Sequence, residues 1–172
     1  MKFYEKTIKE NHIYTGNYLE ITNIEVKLPN GKLSNRDIVK HPGACAIIPF
    51  LDKDTVLLVE QLRKPLEKTI LEIPAGKLDK NEDPLLCAHR ELEEETGYKA
   101  GSMTYLGSIA TAPGFCDEII HLYKAENLKL GTKCCDEDEF TNIKSFSLED
   151  IKSMIKNGKI IDTKTISILA YL

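Results

Sequence analysis

Four carboxylates crowd the five positions Glu91-Leu92-Glu93-Glu94-Glu95. At helical spacing Glu91 and Glu95 stand one above the other, with Glu94 beside them. Such a row is unfavourable for folding alone. Like charges at i, i+4 repel, and the C-terminal end of a helix is already negative. A cation against that face reverses the balance, and carboxylate oxygens suit a hard divalent ion such as Mg²⁺ or Mn²⁺. A solvated acidic face is the alternative. A second acidic run, Asp136-Glu137-Asp138-Glu139, reads by composition alone as a solvated loop, but beside the first it favours the metal reading, because loops commonly supply a further ligand from outside the helix.

The element that positions these acids is marked at both ends. Asp83 is placed to cap a helix N-terminus, Pro84 suits its first turn, and Gly97 suits the left-handed position that ends it. Between them Leu85, Ala88, Leu92 and Thr96 recur near one face, which is the face to be buried.

With Gly76, Glu82, Arg90, Glu91, Leu92, Glu94, Glu95 and Gly97 in register, the stretch resembles the Nudix box of the Nudix hydrolases. That pattern is Gly, five residues, Glu, seven residues, then Arg-Glu-aliphatic-x-Glu-Glu-x-Gly-aliphatic. Only Tyr98 departs, standing where an aliphatic residue is usual. The resemblance implies attack of water on a phosphorus of a diphosphate, with metal ions neutralising charge. It makes Glu91 and Glu95 metal ligands, joined by the backbone carbonyl of Ala75. Glu94 acts through water or as a bridging contact, and is counted with the catalytic groups. Arg90 holds glutamates by charge-assisted hydrogen bonds, Glu82 steadies the loop, and Glu93 points away into solvent.

Further features resemble the ADP-ribose pyrophosphatase branch. The acidic run is similar to its Asp-Glu-x-Glu loop, implying Glu137 as general base and Glu139 as a metal ligand, two roles that can be exchanged. Pro113 lies sixteen residues after Gly97, in Ala112-Pro113-Gly114 where Ser-Pro-Gly is frequent. Glu118 would then contact the terminal ribose. Gln61-Leu62-Arg63 resembles a Gln-aromatic-Arg segment with Leu62 in the aromatic position. Arg63 would bind a phosphate or pair with Glu72. Arg36-Asp37 resembles an Arg-Glu pair that reaches the nucleotide across a dimer, and Tyr14 would stack on adenine or pack within a strand. His41, before Pro42-Gly43, reads as structural, and Asp162-Thr163-Lys164-Thr165 extends the likeness towards the C-terminus.

Composition sets the frame. A chain of 172 residues predicts one domain with a sizeable core, and 42% apolar with 29% charged residues is ordinary for a soluble protein. A net charge of −4 argues against nucleic-acid binding but admits a nucleotide substrate, since a bound metal inverts local charge. Five cysteines, an odd number without zinc spacing, read as free thiols in a reducing compartment. No apolar leader or membrane span is present, so a cytoplasmic enzyme is expected.

The remaining elements follow from local pattern. Strands are expected at 13–15 and 18–26, turning at Asn30-Gly31 and returning over 32–39. A hairpin is expected from 44–50 to 55–61, then strands at 70–73, 103–110, 118–125 and 143–146. Residues 127–139 read as loop. Ser147 would cap a helix over 148–156, and Asp162 a last helix through Leu172. This is an α+β mixed-sheet pattern. It agrees with the α/β/α sandwich that the resemblance implies, with residues 1–42 as an antiparallel extension used to build a homodimer. The expected activity is metal-dependent hydrolysis of ADP-ribose to AMP and ribose 5-phosphate. The alternatives are another nucleoside diphosphate sugar as substrate, or a binding module without hydrolysis.

Overall fold

The computed structural model describes residues 3–134 and 140–172. The chain divides into two compact units, residues 1–43 with 110–119 and residues 44–109 with 120–172.

The first unit is an antiparallel sheet of β1 (Lys6–Thr15), β2 (Glu20–Lys27) and β3 (Leu33–Lys40), with β2 in the centre. Asn30-Gly31 forms the turn between β2 and β3, with Gly31 at φ 84°. Strand β1 begins well before the expected 13–15. Its residues are almost all exposed, so it carries no burial signature and is held by backbone pairing to β2. The 110–119 segment joins this sheet through Val39, whose N–H donates to Phe115 O at 2.7 Å and whose carbonyl accepts from Asp117 N at 3.2 Å.

In the second unit β4 (Ala44–Pro49) is buried at every residue, and its alternation serves two cores. Ala44, Ala46 and Ile48 pack in a core with Val56, Leu58, Leu71, Ile73 and Ile120. Cys45 and Ile47 face the other way, onto Cys87, Ala88 and Leu92 of α1 (Pro84–Thr96). This is how a continuous apolar run behaves in a strand covered on both faces. Around β4 runs a mixed sheet. A second sheet comprises β5 (Thr55–Arg63), β6 (Lys68–Glu72) and β12 (Asn142–Ser147), in the order β12-β5-β6 and antiparallel. The mixed sheet has β7 (Ala75–Lys77), β4, β10 (Ile119–Glu126) and β9 (Ser102–Ala110) in that order, with β10 parallel to β4. Helices α2 (Leu148–Lys156) and α3 (Thr163–Ile168) add Ile151, Met154 and Ile168 to the first core.

Three expectations are corrected. Strands β4 and β5 meet only at the tip, through the Phe50–Val56 bridge and Leu51 N–H to Thr55 O at 2.9 Å, and then enter different sheets. Both runs are apolar on both faces, so neither can leave a face to water as a simple hairpin does. The stretch 127–139 is not all loop, because β11 (Lys129–Leu130) pairs antiparallel with β8 (Tyr98–Lys99). The last helix ends at Ile168 and tightens into a 3₁₀ turn over Leu169–Tyr171, a common way for a helix to finish. Among the described residues no helix is long and apolar enough to cross a membrane.

Candidate active site

Helix α1 starts and stops where its sequence dictates. The Asp83 carboxylate accepts from Leu85 N at 2.9 Å and Leu86 N at 3.4 Å, satisfying N–H groups with no partner inside the helix. Gly97 takes φ 70°, and its N–H closes the last turn on Glu93 O at 2.7 Å. Cys87, Ala88 and Leu92 anchor the helix on β4 and are fully buried. That anchoring turns Glu91 and Glu95 towards the strand β7, and both carboxylates leave water, at 8% and 3% exposure.

The β7 loop is shaped around them. Ala75 N–H donates to Glu95 Oε2 at 3.0 Å. Gly76 lies so close to Glu91 that a Cβ there would fall 2.0 Å from Oε1 and 2.1 Å from Oε2. The Glu91 carboxylate thus occupies the space that a side chain at position 76 would fill, which is the physical reason for the glycine.

Arg90 ties the acids together. It holds Glu82 with two nitrogens at 2.9 Å each, Glu91 Oε1 at 2.7 Å and Glu94 Oε2 at 2.9 Å, and reaches Lys77 O at 3.1 Å. The surrounding carboxylates, Glu82 first, raise the guanidinium above its ordinary range. In return, Arg90 holds the Glu82 carboxyl down to about 2 against the opposing effect of burial. Glu82 also accepts from Asp79 N at 2.9 Å, so it steadies the loop as its position in the sequence implies. Cys87 Sγ lies 3.5 Å from both Lys77 O and Arg90 Nη2. The neighbouring Cys45 thiol, and then burial, push the Cys87 thiol far up, so it remains a neutral structural group.

One guanidinium faces three carboxylates here, and Glu95 is a fourth on the same helix. Glu91 and Glu95, two buried carboxylates one helical turn apart, offer oxygen donors of the kind that a hard divalent cation takes. Glu91 and Glu95 are the side chains to hold it. Among the described residues no group of three or more His, Cys, Asp or Glu side chains completes a metal cage, so ligands from backbone, substrate or elsewhere would have to join them. Glu137 and Glu139 lie outside the described residues. Glu94 is more exposed and turned to Arg90. Glu93 is not simply solvated: it accepts from Thr132 N and pairs with Lys99, both at 3.2 Å.

Arg63 makes the pairing with Glu72, at 2.8 and 2.9 Å. Burial opposes its charge, but Glu72, with Glu95 and Asp162 beyond, holds the guanidinium above its usual range. Sequence reasoning missed what lies behind that pair. Glu72 is buried and also bonded by Lys164, which in turn reaches Asp162 Oδ1 at 3.0 Å. No local pattern announces partners 92 residues apart.

The other residues singled out from the sequence belong to the first unit. Tyr14 is exposed on β1. Arg36 is engaged by Glu5 at 2.6 and 3.1 Å and by Ser34 Oγ at 2.9 Å. Asp37 accepts from Asn23 at 2.7 Å. Glu118 accepts from Thr111 Oγ1 at 2.6 Å and lies 3.5 Å from His41 Nε2. Gly43 N–H donates to His41 Nδ1 at 3.0 Å, which places the ring proton on Nε2, facing Glu118. His41 thus braces the Gly43 turn and faces Glu118. Pro113, Phe115, Cys116, Asp117 and Glu118 line a cavity of about 340 Å³ with Ile38, Ala110 and Ile119.

The family model for the NUDIX domain matches residues 39–167. The chain belongs to the Nudix family. Its Nudix box, Gly76 to Tyr98, is the loop and helix just described. A methanol dehydrogenase activator of Bacillus methanolicus is 50% identical to this Nudix chain over 172 residues, covering 99% of the chain and 93% of the relative. An ADP-ribose pyrophosphatase of Bacillus subtilis (strain 168) is 46% identical over 170 residues, covering 98% and 92%. A solved structure of an ADP compounds hydrolase superposes with a TM-score of 0.86 at 19% identity, covering 97% of this chain and 91% of that one. That likeness shows that the two chains share a fold.

Proposed function

We propose that this protein hydrolyses ADP-ribose to AMP and ribose 5-phosphate with the help of a divalent cation, Mg²⁺ by preference and Mn²⁺ as substitute. One observation carries the reading: two carboxylates one helical turn apart, Glu91 and Glu95, are both buried, and Gly76 of the facing loop leaves open the space that the Glu91 carboxylate occupies. The kinship with an ADP-ribose pyrophosphatase over nearly the whole chain supports the choice of substrate.

Glu91, Glu95 and the Ala75 carbonyl would hold the cation, with Glu139 as a further ligand. When bound, it neutralises the diphosphate and acidifies water. Arg90 holds Glu91 and Glu94 in place by charge-assisted hydrogen bonds. Glu137, or Glu94, takes the proton from the attacking water. The water oxygen bonds to one phosphorus, the P–O–P link breaks, and the two phosphates part as AMP and ribose 5-phosphate. Arg63 would steady a phosphate while Glu72 fixes its orientation. Tyr14 would stack on adenine, Arg36 and Asp37 would reach the nucleotide across a homodimer built with residues 1–42, and Glu118 would contact the terminal ribose. The whole chain acts as one Nudix domain with that extension, working in the cytoplasm on a small nucleoside diphosphate sugar.

Values of kcat/KM for ADP-ribose, ADP-glucose and GDP-mannose test the substrate. ADP-ribose is expected to lead, and a higher value for either of the others overturns the assignment while keeping the metal site. A second reading comes from the 50% identical dehydrogenase activator: the same site serves a protein partner. A methanol dehydrogenase whose rate rises with this protein, and not with its Glu95→Gln variant, would establish it.

A further inference from the structure

Four consecutive residues before the glycine of the box are each fixed by a different group. The Glu72 carboxylate is bound by Lys164. Ile73 N–H donates to Thr165 Oγ1 at 2.9 Å, in a fully buried bond. Pro74 O accepts from Ile47 N of β4 at 2.9 Å. Ala75 N–H donates to Glu95 at 3.0 Å. Two of these four anchors come from one short segment near the C-terminus.

That segment is itself internally braced. The Asp162 carboxylate accepts from Thr165 N at 3.0 Å and Thr165 Oγ1 at 2.5 Å, and from Lys164 Nζ at 3.0 Å. Lys164 and Thr165 are buried, at 8% and 1% exposure, which is uncommon for a lysine without a charge partner to receive it. Ile168, one turn on, roots the helix in the core. Burying a lysine with its carboxylate partner, beside a half-buried second acid, contributes little net stability. The arrangement is better explained by what it orients.

We infer that Lys164 and Thr165 are positioning residues that set the 72–75 segment, and through Ala75 the carboxylate of Glu95, for the metal-dependent reaction proposed above. The inference rests on that reading for its functional meaning. Its structural content, that the C-terminal segment holds the Ala75 amide in place, can be read without any metal or substrate. The chain of action runs from Asp162 to Thr165, to the Ile73 amide, across the rigid Pro74, to the Ala75 amide and Glu95. Lys164 works in parallel. By sharing the Glu72 charge it fixes the end of β6, and it holds Arg63 in its fork with the same carboxylate.

The test compares three variants of the full chain. Thr165→Val removes the hydroxyl but keeps the shape, Thr165→Ser keeps the hydroxyl, and Ile168→Val trims the same helix inside the core without touching these bonds. The first readout is amide hydrogen exchange at Ala75 and Gly76 in metal-free protein. The second is Mn²⁺ affinity from water-proton relaxation. Thr165→Val is expected to exchange at Ala75 about tenfold faster and to bind Mn²⁺ about tenfold more weakly, the effect of losing the hydroxyl that links the Ile73 amide to Asp162. Thr165→Ser and Ile168→Val are expected to stay near wild type in both. The inference is overturned if Thr165→Val protects Ala75 as wild type does, or if Ile168→Val loosens it equally. Wild-type protein that fails to bind Mn²⁺, while Thr165→Val still speeds exchange at Ala75, would sink the proposed function and leave the positioning role standing.

Discussion

Replacing Gly76 by alanine is the sharpest perturbation of the loop. Gly76 is not at a left-handed φ, so alanine meets no backbone strain there, and the whole effect is steric. The new Cβ would lie 2.0 Å from the Glu91 carboxylate carbon, against an ordinary contact of 3.4 Å or more. The carboxylate must therefore retreat by more than an ångström, stretching its 2.7 Å bond to Arg90. Because the obstructing atoms end a flexible side chain, the fold survives. Overpacking of this kind costs about 1–3 kcal/mol, lowering Tm by roughly 3–10 °C in a chain of this size. Activity suffers more, since a displacement of about 1 Å at a reacting centre costs on the order of 100-fold in rate. The assay is kcat/KM for ADP-ribose with Mg²⁺, beside thermal melts, for Gly76→Ala alone and in a Glu91→Ala background. With Glu91 truncated the clash is gone, and Gly76→Ala should then add no more than about 0.5 kcal/mol of destabilisation. Wild-type kcat/KM in Gly76→Ala, or the full stability cost persisting without Glu91, would refute the reasoning.

Other outcomes follow from the same site. Glu82 has its carboxyl pKa lowered from 4.5 to about 2 in the folded protein. A depressed carboxyl stabilises fully above its unfolded value and loses that contribution as pH falls through the folded one. Thermal melts of Glu82→Gln should therefore show a flatter loss of Tm between pH 4.5 and about 2 than wild type. Arg90→Lys keeps the charge but not the fork that engages Glu82, Glu91 and Glu94, and should lower kcat about 100-fold; kcat within twofold of wild type would contradict it. Mg²⁺ should raise Tm by mass action, an effect removed by a chelator and absent from a Glu91→Gln, Glu95→Gln double variant, as melts across a Mg²⁺ series would show. Light scattering should give the mass of a dimer, and a monomer would undercut the roles proposed for Tyr14, Arg36 and Asp37.

Much of this molecule is written locally, and the rest is written at a distance. Helix α1 is legible because Asp83, Pro84 and Gly97 act within a few residues of themselves, and the caps form as their chemistry requires. The box acids are legible for the same reason, their spacing alone setting one helix face. The β4–β5 pairing is not legible, because a strand apolar on both faces has no period to reveal which sheet it joins. Strand β1 carries little signal for the opposite reason, since Lys6 to Glu10 is exposed and is held by backbone pairing to β2 and by the Glu10–Lys40 ion pair. The Thr165–Ile73 and Lys164–Glu72 contacts, 92 residues apart, have no sequence pattern, because nothing near either partner marks the other. Arg63 shows the middle case: its choice between a phosphate and Glu72 could be framed from residue types, but only the fold shows Glu72 within reach.

The most direct test of the central claim is hydrolysis of ADP-ribose in ¹⁸O-water with Mg²⁺, by wild type and Glu95→Gln, with products weighed by mass spectrometry. The account predicts AMP and ribose 5-phosphate in equal amounts, one of them carrying ¹⁸O on its phosphate. It further predicts that a chelator stops the reaction and that Glu95→Gln slows it about 100-fold or more. Intact ADP-ribose after prolonged incubation of wild type with Mg²⁺, or equal turnover by Glu95→Gln, would contradict it.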